Sequence, residues 1–407
     1  MKRPILLTGV GTLGGCGAGS DRLAESLAAG RADTRPIDHS AGYHHPEAAR
    51  LASLLPPGQL GSWVSPAEAR RMSPPSKLGV AAARMALRHA GLPDVVEDET
   101  AVVVATAFGP SSNTEALLKQ IFCEGPESAS PSLFMESVAN APAAQIAISA
   151  RARGPSLTVC QREAGPLIAL GRGAGEVASG RARRALAGSV DEMTPLLHAL
   201  LDRFGALARP GPDGEEVARP FDRRRCGFLA GEGAGLVVLE SEEALRQRGG
   251  RALARILDWG SAFDVTAPMW GWGSGAGSLA RALLRTLRRA GVEPADVDLI
   301  VSGASGSQGG DRLEALVLRE AWGGVPLPPI AAPKSITGEY GGGLVGAAVL
   351  AASGSPLGAT AGFAEVDPEL GIVPHDGSPL APPEVVLVSS LAAGGAAAWV
   401  VLGRGFS

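Results

Sequence analysis

Arg219-Pro-Phe-Asp-Arg-Arg-Arg-Cys-Gly-Phe-Leu-Ala-Gly-Glu-Gly-Ala-Gly-Leu-Val-Val-Leu-Glu240 is the stretch on which the reading of this chain turns. Its second half alternates glycine with small or acidic residues and then runs into Gly235–Glu240, apolar and of strand length. Glycine in that place permits a tight turn and a close approach of backbones. Its first half sets Arg223, Arg224 and Arg225 beside Asp222, an arrangement that reads as an ion-paired or solvated loop.

Working outward, short apolar runs alternate with longer Ala/Leu/Arg-rich segments. The runs 101–106, 157–160, 185–187, 235–240, 299–302, 384–389 and 398–402 are predicted strands. The segments 76–90, 164–179, 279–290, 312–320 and 344–353 are predicted helices. This alternation specifies an α/β protein whose sheets are covered by helices. Loops are expected at 39–63 and at 208–217, the latter around Pro210-Gly-Pro-Asp-Gly214. A new strand begins after Gly249-Gly250, so the chain divides into an N-terminal half, 1–248, and a C-terminal half, 249–407.

Composition excludes several classes. With 45% apolar and 19% charged residues, the 407-residue chain reads as globular with a large core. A formal net charge of -4 and 4% aromatic content argue against a nucleic-acid surface. No run approaches the roughly 20 apolar residues of a membrane span. The apolar stretch after Lys2-Arg3 is broken by Gly9 and Gly11, which suits a buried strand rather than an export signal, so a cytoplasmic location is expected. Cys16, Cys123, Cys160 and Cys226 are scattered and show no Cys/His ligand spacing, so neither metal nor cofactor is expected.

Together with the opening stretch, three further segments resemble the β-ketoacyl synthase (ketosynthase) family, in order and at family spacing. They are Gly154-Pro-Ser-Leu-Thr-Val-Cys-Gln-Arg-Glu-Ala-Gly165, Ser302-Gly-Ala-Ser-Gly-Ser-Gln-Gly-Gly-Asp311 with Glu314 downstream, and Pro333-Lys-Ser-Ile-Thr-Gly-Glu-Tyr-Gly-Gly342. Ser389-Ser-Leu-Ala-Ala-Gly-Gly395 is a weaker match. The resemblance spans nearly the whole chain. It implies a thiolase fold, five-layered αβαβα with two related halves, and a dimer.

The departures from the family fall on its chemistry. The resemblance assigns the nucleophilic cysteine position to Glu163 and the two histidine positions to Gly303 and Glu339; of the usual catalytic set only Lys334 is retained. Condensation needs a thiolate that holds the acyl chain as a thioester, and a carboxylate is a poor substitute. Gly303 has no side chain with which to stabilise an enolate, and an ionised Glu339 would repel one. Arg162-Glu-Ala-Gly165 is similar to the chain length factors of type II polyketide synthases, where Gln usually replaces the cysteine.

The resemblance therefore implies a non-condensing subunit that pairs with an active ketosynthase, receives chains from an acyl carrier protein and shapes the acyl tunnel in polyketide, polyene or fatty-acid-like biosynthesis. Leu117, Leu118, Ile121, Phe122, Phe134, Leu391 and Ala393 are its expected tunnel residues, with simple core packing as the competing reading for the first five. The alternative is a homodimeric enzyme in which Glu163 and Glu339 perform acid–base chemistry on a carrier-bound chain: dehydration, isomerisation or cyclisation. Blander roles are Glu163 capping the helix that follows it, Lys334 salt-bridged to a nearby carboxylate, Cys160 as a buried small hydrophobe, and Trp270 and Trp272 as loop anchors.

Overall fold

Ten principal strands carry the fold of the computed structural model, which describes residues 4–96, 98–211 and 214–405. Lys2 and Arg3, and Pro212-Asp213 at the centre of the expected 208–217 loop, lie outside the described residues. The strands are β1 (Ile5–Gly14), β2 (Thr100–Ala105), β3 (Ser156–Val159), β4 (Arg184–Asp191), β5 (Gly233–Ser241), β6 (Ala254–Phe263), β7 (Leu299–Ser302), β8 (Ile330–Ala331), β9 (Val385–Leu391) and β10 (Ala396–Arg404). Each predicted strand overlaps one of them; 299–302 is matched at both ends, the other bounds differ by one to four residues, and Thr106, Cys160 and Glu384 fall just outside.

Their order is β8-β7-β9-β10-β6-β1-β5-β4-β2-β3. The first five strands follow the order 3-2-4-5-1, and the second five repeat it as 8-7-9-10-6. The pairing senses repeat as well. β2 is parallel to β3 and β4, as β7 is to β8 and β9. β5 is antiparallel to β4 and β1, as β10 is to β9 and β6. The two sets join where Ile5–Leu7 of β1 pair antiparallel with Ala254–Ile256 of β6.

The helices needed below are α1 (Pro74–His89), α2 (Ser111–Glu124), α3 (Pro131–Ser137), α4 (Ala141–Ala150), α5 (Gly165–Ala178), α6 (Pro195–Arg203), α7 (Ala276–Ala290), α8 (Gln308–Trp322) and α9 (Gly341–Ala352). α1 and α4 cover one outer face, α7 and α8 the other, and α5 and α9 fill the middle, which gives five layers. The period-2 geometry of strands explains why the strand sequences are apolar throughout. In β2, Ala101, Val103 and Ala105 point to the central helices while Val102 and Val104 point to the outer layer. α9 lies between sheets and is buried at all twelve positions, so it has no polar face.

The glycines of the opening stretch have a definite task. A Cβ on Gly235 of β5 would stand 2.0 Å from the carbonyl oxygen of Gly342, so strand and helix α9 touch through bare backbone. The 39–63 segment departs from expectation. Leu51–Ser53 form a short strand between Arg35–Pro36 and Ala230–Gly231. The Glu216 carboxylate accepts the N–H groups of Arg50 and Leu51 and holds that segment in place. α6 was absent from the predicted helices; Thr194 caps it by accepting from the Leu197 N–H. No helix of the described residues is long and apolar enough to cross a membrane.

Candidate active-site cavity

A cavity of about 590 Å³ opens where the ends of the two strand sets meet. Glu163, Gly303 and Glu339, predicted from three separate motifs, all line it. Glu163 sits in the turn between β3 and α5, and the residue before it, Arg162, has a left-handed φ of 44°. That backbone costs a non-glycine residue roughly 1–2 kcal/mol. Arg162 is held there by its own side chain, whose Nη1 donates to the carbonyls of Ala393 (3.1 Å) and Met269 (3.3 Å). Its guanidinium also lies 4.7 Å from the centre of the Trp270 ring. Ser390 Oγ fixes the turn from the other side by donating to the Glu163 carbonyl at 2.6 Å.

The Glu163 carboxyl does not cap α5, as one reading had it. The side chain enters the cavity, and its Oε2 is buried without a hydrogen-bond partner. Burial, and then the charge of Glu339, push its pKa up to about 7, against the opposing pull of Lys334 and Arg162. Lys334 Nζ is 2.5 Å from Glu339 Oε1, so the expected lysine salt bridge exists and its partner is Glu339. Lys334 is fully buried, and its ammonium balances one of the two facing carboxyls.

Gly303 fits its surroundings tightly. An added Cβ would stand 2.8 Å from Ser390 Oγ and 2.9 Å from the Ser389 carbonyl oxygen. Behind the 302–311 loop, the Asp311 carboxylate accepts the N–H groups of Phe221 (2.9 Å), Ser305 (3.1 Å) and Gly306 (3.1 Å). This bond to Phe221 ties the opening stretch to the cavity and explains why it is structural. Burial raises Asp311 to about 6 and Glu314 to about 7. The three arginines beside it are paired: Arg223 with Glu365, Arg224 with Asp222 and Arg225 with Asp367.

Of the expected tunnel residues, Leu391 and Ala393 line the cavity. Leu117, Leu118, Ile121, Phe122 and Phe134 do not line it. They lie on α2 and α3, where Leu117 is buried while Leu118, Phe122 and Phe134 are exposed. Cys160 is a correction too. It is exposed, because β3 is the edge strand of its set and nothing among the described residues covers its outer side. Sequence reasoning missed the apolar wall formed by Leu197, Leu200, Leu201 and Phe204 on and after α6; their helical spacing was the available signal. Trp270 and Trp272 also line the cavity; Trp272 packs on Gly309 and Gly310, as an anchor would.

Chemically, the lining residues include six acids (Glu163, Asp191, Glu192, Asp311, Glu314 and Glu339), of which Asp191, Glu192 and Asp311 spend their carboxylates on backbone N–H groups, and one arginine, Arg162. No lining residue is a histidine, and the thiol of Cys226 is its only sulfhydryl. A carboxyl near neutrality can accept or donate a proton, but it does not hold an acyl chain as a thioester.

The family model "Beta-ketoacyl synthase, N-terminal domain" matches residues 2–244, and its C-terminal counterpart matches residues 253–353. The tetracenomycin polyketide synthase ketoacyl synthase alpha subunit of Streptomyces glaucescens is 29% identical, over 92% of this chain and 91% of its own length. A 3-oxoacyl-[acyl-carrier-protein] synthase 2 of Rhizobium meliloti is 30% identical over 73% of each chain. Among solved structures, the ishigamide ketosynthase/chain length factor superposes with a TM-score of 0.89 at 31% identity, covering 99% of this chain and 100% of that one.

Proposed function

The chain belongs to the β-ketoacyl synthase family, and we propose that within it this chain is a non-condensing chain length factor, the partner of an active ketosynthase in type II polyketide or polyene synthesis. One observation carries the reading: the turn that would present a nucleophile presents Glu163, facing the Glu339–Lys334 pair, with Gly303 beside them. A pocket with no imidazole among its lining residues, and a carboxyl where the nucleophile would stand, offers nothing to stabilise an enolate. The apolar wall of α6, with Leu391, suits an uncharged growing chain.

Pairing has its own support. β3 leaves one edge open, and Phe122, Phe134, Ile148 and Leu157 are exposed on or beside the elements next to it. An open strand edge among exposed apolar side chains is a hazard in a lone chain and an interface in a complex. Phe122 and Phe134 then border the tunnel from the partner's side, and an acyl carrier protein delivers the chain. Co-expression with an active ketosynthase of its own pathway should yield a stable 1:1 complex more active than either subunit. By intact-mass spectrometry, this chain should carry no acyl group after incubation with acyl and malonyl carrier proteins. A homodimer that ignores that ketosynthase, or an acyl adduct on this chain, overturns the reading.

The second reading, an acid–base enzyme acting on a carrier-bound chain, is favoured by a carboxyl poised near pH 7 beside a carboxylate–ammonium pair. It requires that Glu163→Gln and Glu339→Gln each abolish a dehydration, isomerisation or cyclisation; the first reading requires that they leave the ketosynthase complex active.

A further inference from the structure

On a flank of α6 that does not line the cavity, three imidazoles meet. His39 and His44 stack with ring centroids 3.7 Å apart and planes 5° from parallel. His44 Nε2 lies 3.0 Å from Nδ1 of His198, which is fully buried on α6 between cavity-lining Leu197 and Ala199. One ring nitrogen from each of the three lies within 4.8 Å of the others. A hydrogen-bonded stack alone accounts poorly for this cluster, because His39 Nε2 and His44 Nδ1 are both buried without partners. A buried nitrogen left without a partner destabilises the fold that holds it.

We propose that His39, His44 and His198 form a three-imidazole site for a borderline divalent cation of the zinc class, clasping the 38–50 segment onto α6 behind the cavity wall. Imidazole nitrogen is the donor such ions prefer, and because its lone pair lies in the ring plane, one of the two stacked rings must turn out of the stack to reach the ion. His198 is oriented for it: its Nε2 faces the Leu51 carbonyl at 3.4 Å, which leaves Nδ1 for the ion, and a carbonyl partner on the second nitrogen is the usual support of a metal-bound imidazole. Asp202, buried and paired with Arg209, accepts the Ala49 N–H beside the cluster and adds negative charge.

The sequence showed no such spacing, because His44 and His198 are 154 residues apart. Closing so long a loop with a metal removes conformational freedom from the unfolded chain. The ion therefore acts on the shape of the cavity through α6, without touching its contents.

Full-length protein stripped with chelator, with Cys123, Cys160 and Cys226 alkylated, should bind one equivalent of Zn²⁺. With Co²⁺ it should develop the visible d–d bands of a low-symmetry, nitrogen-ligated site. Zn²⁺ should raise the unfolding midpoint by a few degrees. His39→Ala and His44→Ala, at half-buried positions, should weaken binding more than about tenfold and remove that rise, whereas His45→Ala, exposed next door, should leave both intact. His198 is too buried for its removal to be informative alone. Binding by His39→Ala equal to the wild type, or no stoichiometric metal on the wild type, overturns the proposal.

Discussion

Replacing Glu163 with Gln tests the electrostatics of the cavity directly. The substitution keeps the shape of the side chain and installs the amide that chain length factors usually carry there. An ordinary glutamate titrates near 4.5; in the fold, burial and Glu339 raise Glu163 to about 7. That difference corresponds to about 3 kcal/mol. Because the folded pKa is the higher one, the folded chain holds the proton more tightly than the unfolded chain. This contribution to stability is complete below pH 4.5 and is lost as pH rises through 7. Gln does not titrate. The stability of the variant minus that of the wild type should therefore increase by about 2–3 kcal/mol between pH 5 and pH 8.5. Asp191, Asp311 and Glu314, whose pKa values burial also raises, are present in both proteins and cancel in the difference. Urea unfolding at several pH values, with midpoints and slopes compared, measures it. A difference that is flat with pH, or that falls as pH rises, would refute the reasoning; it would mean that Glu163 is ionised in the fold and held by Lys334.

Glu163→Cys should restore neither condensation nor an acyl adduct on intact-mass analysis, since Gly303 and Glu339 still lack imidazole. Gly303→His added to it should lower stability, because the new Cβ meets Ser390 Oγ and the Ser389 carbonyl, and thermal unfolding would show it. Lys334→Met leaves the Glu339 carboxylate buried without its cation and should cost about 3–5 kcal/mol in denaturant unfolding. Ala393→Phe or Leu201→Phe should shorten the product of the ketosynthase complex, read by mass spectrometry of released chains; lower yield at unchanged length would remove those residues from the tunnel wall.

Local structure and kinship are legible along the chain. Runs such as 101–106 and 398–402 are short, β-branched or apolar on both alternating faces, and bounded by turns, which suits a strand covered on both sides. Motif spacing along the chain also placed Glu163, Gly303 and Glu339 at three turns that the fold brings to one cavity. Which side chains face one another across that cavity and around it depends on the packed fold. Lys334 pairs with Glu339 rather than Glu163; α6 supplies the apolar wall; Phe122 and Phe134 point outward; Cys160 lies bare on an edge; and His39 and His44 reach His198. Periodicity reports the dihedral state of a few consecutive residues, whereas these contacts join positions far apart in the chain. They exist only once the strand order and the layer packing have been chosen by the summed burial of the whole core.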